Sequence, residues 1–99
     1  MIVKGVKTSY NLNDADPITV DEGEMLADLA RATDPRPMMR KLVEGRIGKR
    51  VGSIPFDDYM ILCLRLATVY RFLKGDTMQS EFNDAFAKFD AVNRKGNIS

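Results

Sequence analysis

The chain has no histidine, no tryptophan and a single cysteine, Cys63. These absences exclude much chemistry. A lone cysteine forms no disulfide within the chain, and without histidine no Cys/His zinc site can be assembled. A Ser-His-Asp triad, a Cys-His pair and a histidine general base are all impossible. Cys63 stands in an apolar run, where burial raises a thiol's pKa and silences it, so packing is its expected role. An unpaired cysteine also fits a reducing cytoplasm. No apolar run reaches the ~18 residues of a membrane span, and Met1-Ile2-Val3-Lys4-Gly5 lacks the pattern of a secretory leader. The sequence calls for no metal and no cofactor, and it is read as non-enzymatic.

Ninety-nine residues suit one domain, 1–99, with a modest core. Residues 6–12 alternate. Val6, Thr8, Tyr10 and Leu12 share one face, and Lys7, Ser9 and Asn11 the other, the period of a half-buried strand. A turn at Asn13–Asp16 would let Ile18 and Val20 pair back as a hairpin over 6–20. Otherwise the strand pairs with another chain. Thr19 and Glu22 have capping-box spacing, so a helix starts near Val20, with Met25, Leu26 and Leu29 as its apolar stripe. Asp34-Pro35 opens a second helix with Met38, Met39, Leu42 and Val43 inward, and Gly45 is its expected stop. A glycine-bearing loop leads to a long helix from Pro55 to Lys74, apolar nearly all round. Asp76 and Gln79 begin a last helix carrying Met78, Phe82, Ala85, Phe86 and Phe89, and 93–99 is a frayed tail. The expected fold class is mainly α (α+β): a short N-terminal strand or hairpin, then a compact bundle of about four helices over 20–92.

Charge is balanced in total, 15 basic against 14 acidic residues, yet uneven along the chain. Residues 1–30 are net −4, residues 31–50 net +5, and the remainder neutral. The basic block admits two readings. Arg46, Lys49 and Arg50 could contact phosphate, as in a nucleic-acid-binding accessory, although no aromatic residue within 31–50 offers a base-stacking platform. Alternatively the block is a solvated face answering the acidic first segment. Gly45-Arg46-Ile47-Gly48-Lys49-Arg50 is not a Walker loop, because Arg50 follows Gly48-Lys49 and no strand precedes it. Asp57 and Asp58 are adjacent, so they point about 100° apart and suit a helix N-terminus better than a catalytic dyad.

The apolar excess over 56–73 favours a protein-interaction role. The expected working surface is Tyr59, Cys63, Leu66 and Tyr70, flanked by Arg36, Met38, Met39, Arg40 and Lys41. The expected partner is a protein that is acidic or presents an apolar helix, and self-association is expected too.

Ile54-Pro55-Phe56-Asp57-Asp58-Tyr59-Met60 leads the long apolar helix after a polar loop. Over about residues 25–74 this order resembles the small tail assembly proteins of tailed bacteriophages. The resemblance implies a chaperone in the host cytoplasm that holds a tape-measure-like protein, with no catalytic residues. A phage inhibitor of a host enzyme using 31–50 and a small virion adaptor are the alternatives.

Overall fold

The computed structural model describes residues 1–29, 31–74, 84 and 86–91. The chain is mostly helical and opens with a short antiparallel hairpin, the architecture expected from its sequence. In order come β1 (Ile2–Lys4), β2 (Ser9–Asn11), α1 (Val20–Leu29), α2 (Arg36–Ile47) and α3 (Phe56–Lys74). Residues 86–91 are also helical and form α4. The expected start at Asp76–Gln79, Met78, Phe82, Ala85 and the tail 93–99 lie outside the described residues.

The hairpin differs from the expected one. Residues 6–12 are not one strand. The chain turns at 5–8, where the Gly5 amide donates to the Thr8 carbonyl (2.8 Å). Tyr10 pairs with Val3, Ile2 with Asn11 and Lys4 with Ser9. Tyr10 and Leu12 are buried as the alternation requires, but Val6 is exposed at the turn. The Asn13–Asp16 turn is present: the Asn13 Oδ1 accepts from the Ala15 and Asp16 amides at 3.1 Å. It leads into α1 rather than a second pairing strand.

The α1 capping box forms as spaced. The Glu22 amide donates to Thr19 Oγ1 (3.2 Å), and the Thr19 amide to Glu22 Oε1 (3.3 Å). At α2 the Asp34 carboxylate accepts from the Arg36 amide (3.1 Å), satisfying one of the open donors of the first turn. Gly45 does not stop this helix. It continues to Ile47 and ends at Gly48, whose φ of 73° is the left-handed C-cap conformation. Gly45 therefore sits inside a helix, and a Cβ there meets nothing within 4 Å. Gly45→Ala is expected to stabilise the protein by about 0.5–1 kcal/mol, raising the midpoint of thermal or urea unfolding.

The core lies where α3 crosses the other elements. Leu62, Cys63, Leu66, Val69 and Tyr70 pack with Leu26 and Leu29 of α1, Met39, Leu42 and Val43 of α2, Val3, Tyr10 and Leu12 of the hairpin, and Phe89 of α4. Full burial of each large aliphatic side chain contributes about 1.5–3 kcal/mol.

Candidate protein-interaction face

Two polar clusters hold the most constrained ionisable groups. The first joins four segments. Arg46 of α2 is 5% exposed and grips Glu22 of α1 with two nitrogens, Nε to Oε2 at 2.7 Å and Nη2 to Oε1 at 2.9 Å. Its Nη1 donates to the carbonyls of Asn13 (3.1 Å) and Asp16 (3.0 Å). The Tyr70 hydroxyl of α3 donates to Glu22 Oε2 (2.8 Å). Burial would raise the Glu22 carboxyl, but the hydrogen bonds from Arg46 and Tyr70 outweigh it and hold its pKa below the ordinary value. Burial likewise works against the Arg46 charge, and Glu22 more than restores it. Burial first, and then the bond to Glu22, push the Tyr70 hydroxyl upward.

The second cluster pins the hairpin to the start of α3. Asp58 is buried; its Oδ2 accepts from the Tyr10 hydroxyl (2.7 Å) and its Oδ1 from the Val6 amide (2.9 Å). The bond to Asp58 raises the Tyr10 pKa. In both clusters the polar groups are satisfied by one another, the arrangement of a fold-fixing network rather than of groups turned toward a ligand.

These placements revise the residues expected to contact partners. Met39, Cys63, Leu66 and Tyr70 are fully buried and Tyr59 is half-buried, so this stripe is the core and not a working surface. The reason is geometric: 59, 63, 66 and 70 have the i, i+4, i+7, i+11 spacing of a helix seam, and the most regular apolar stripe went to the interior. Burial pushes the Cys63 thiol up to about 12, so it stays protonated at neutral pH. The Tyr59 hydroxyl has no hydrogen-bond partner of good geometry among the described residues, though the Cys63 thiol is close enough to act on it electrostatically.

The basic residues also divide. Arg46 spends four of its five N–H groups inside the protein and is not available as a surface phosphate contact. The Lys49 ammonium sits 4.6 Å from the Tyr10 ring centroid, a cation–π geometry, and Arg50 is exposed. Arg36, Arg40 and Lys41 do gather on one side of α2, together with Pro37 and Glu44. There Arg36 is bound twice by Asp34 (2.9 and 2.8 Å), and Arg40 approaches Glu44 at 3.7 Å. Lys41 shares a cleft with Asp21, Glu24 and Asp28 of α1. Much of the basic block thus folds back against carboxylates.

Among the described residues, the outer side of α3 is left without a packing partner. Ile61 is 36% and Leu64 56% exposed, on the same side as Arg65 and Thr68. This side faces an open groove of about 890 Å3 whose other wall is Met1–Lys4. Ile2, on β1, is 66% exposed. By contrast the hollow beside Glu22 and Arg46 is only about 270 Å3. Sequence reasoning counted Ile61 and Leu64 within the apolar excess but assigned the surface to the wrong stripe. It missed β1, whose three residues are too few for a periodic signal.

Among the described residues, no helix is long and apolar enough to cross a membrane. Compared with known proteins, the chain matches no family model, no curated protein and no solved structure.

Proposed function

We propose that this chain is a non-enzymatic binding protein that holds a protein partner on the face built by β1 and the outer side of α3. The observation that carries this reading is the coincidence, in one groove, of exposed Ile61 and Leu64 with the open edge of a strand. Exposed apolar side chains grouped along a strand edge are the ordinary substrate of protein association. The two polar clusters support the reading indirectly, since their groups are consumed in holding the fold. In the form implied by the likeness to tail assembly chaperones, the occupant is a segment of a tape-measure-like protein, captured before assembly. The salt-dependent phosphate binder is the weaker reading, because Arg46 is committed to Glu22 and Arg36 to Asp34.

A photo-crosslinking amino acid tests the face directly. Placed at Leu64 in cells of the native source, it is expected to give discrete protein adducts, whereas the same group at exposed Arg50 on the basic block gives none. Adducts from position 50 and none from position 64 would move the binding face to the basic block.

A further inference from the structure

We propose that β1 accepts an additional strand along its open edge, and that this strand is an acidic segment of a partner protein with alternating apolar residues. The inference rests on the face above being a binding surface, and it supplies the chemistry of the occupant.

The hydrogen-bond phase of the hairpin defines the edge. Met1 and Leu12 exchange backbone bonds (3.0 and 2.8 Å), and Gly5 donates to Thr8. With Val3 paired to Tyr10, residues 1, 3 and 5 occupy the bonded positions of the antiparallel ladder. Ile2 and Lys4 then lie at non-bonded positions, and their N–H and C=O groups point away from β2. Among the described residues, no backbone hydrogen bond outside the ladder uses them. They open into the groove with Ile61, Leu64, Arg65 and Thr68.

An added strand would lie about 4.8 Å from β1 and follow its pleat. Val3 points inward while Ile2 and Lys4 point outward. The residue beside Val3 would therefore turn toward α3 and cover Ile61 and Leu64, so it must be apolar. Residues beside Lys4 turn outward. The cations Lys4 and Arg65 both line the groove, no described carboxylate does, and neither cation makes an ion pair with a described residue. An opposite charge across from Lys4 stabilises the pairing, and a like charge opposes it. This selects against a second copy of the chain, which would bring its own Lys4 and Arg65 to the seam. Main-chain bonds would supply affinity and the alternate side chains specificity.

The test uses two fluorescein-labelled nine-residue peptides, one alternating valine with glutamate and one alternating valine with lysine. Fluorescence anisotropy with the full chain should show the glutamate peptide binding at least ~10-fold tighter, a difference of about 1.4 kcal/mol, and should slow hydrogen exchange at the Lys4 amide. Lys4→Pro should abolish binding while leaving thermal unfolding nearly unchanged, because proline on an outward edge position removes no ladder bond. Lys4→Glu, which keeps the edge N–H but reverses the charge beside the outward-facing residues, should reverse the preference between the two peptides, and it carries the test if Lys4→Pro fails to fold. Equal binding of the two peptides, binding without protection at Lys4, or no binding of either would overturn strand addition. A dimer, seen by sedimentation, that Lys4→Pro splits would make a second copy the added strand and overturn the acidic partner as its occupant. If neither peptide binds but position 64 still crosslinks, strand addition falls and the binding face stands. If position 64 gives no adduct either, the face falls too.

Discussion

Replacing Arg46 with methionine is expected to cost about 3–5 kcal/mol of stability, because it strands the Glu22 carboxylate inside a network built to receive a guanidinium. Arg46 and Glu22 have side chains only 4% and 14% exposed, so water reaches the abandoned charge poorly. In a domain of this size each kcal/mol lowers the melting temperature by about 4–8 °C, which makes the loss visible in any thermal scan. Adding Glu22→Gln should recover a substantial part of it. The amide is neutral, its oxygen can still accept from the Thr19 amide, and its NH2 can donate to the Tyr70 hydroxyl oxygen. A loss below about 1 kcal/mol for Arg46→Met would show that the pair is little more than a surface ion pair.

The same network gives the protein an acid limit. Glu22 has a folded pKa below its ordinary value of 4.5. Above pH ~4.5 it is ionised in both states and its contribution is present in full. As pH falls, the unfolded chain takes up the proton first, so this stability is lost on the way down to the folded pKa. Urea titrations from pH 6 to pH 3 should show the decline, and Glu22→Gln should make it shallower. An equally steep decline in that variant would place the acid sensitivity elsewhere.

Gly5→Ala is expected to be the most damaging single-methyl change, costing about 2–3 kcal/mol by overpacking. The added Cβ would overlap the buried Asp58 carboxylate and lie 2.8 Å from the Tyr10 ring. Neither can step aside without breaking the Tyr10–Asp58 bond or the bond from the Val6 amide. The position needs glycine for space, since no positive φ occurs there. Gly52→Ala is the control: its Cβ would meet the end of the Arg40 side chain at 2.7 Å, and an exposed guanidinium can swing away at little cost. The coupling is itself measurable. With Asp58→Ala in the background the nearest obstacle is gone and the Tyr10 ring is freed to shift, so Gly5→Ala should cost less than it does alone. Equal costs in both backgrounds would mean that crowding at Asp58 is not the cause.

The helices were legible to different depths. Thr19 and Glu22 marked the start of α1, because a capping box needs only residues three apart. The end of α2 was misplaced at Gly45, because glycine signals a stop without saying which of two glycines adopts the left-handed conformation. Gly48 does, after one further turn. In α3 the stripe Tyr59, Cys63, Leu66 and Tyr70 announced a buried seam. Its assignment to a working surface failed because apolar periodicity marks the interior first, and a docking face consists of what is left over. Ile61 and Leu64 belong to that remainder, and only the packed structure identifies them.

What the sequence by itself determined is the inventory: no histidine chemistry, a mainly helical body, an apolar segment at 56–73 larger than its neighbours need, and charge of opposite sign in two consecutive stretches. Those properties are local or additive. The hairpin partner, the fate of Arg46 and the open edge of β1 belong to the tertiary structure. The turn at 5–8 carries no Asn-Gly or Asp-Gly signal; its Val6 amide is held by Asp58, fifty-two residues away. Arg46 reads as one basic residue among seven in 31–50 until folding brings Glu22 to it across twenty-four positions. Whether a charge faces solvent or a carboxylate, and whether a strand edge is covered or open, depends on contacts distant in sequence that no spacing records.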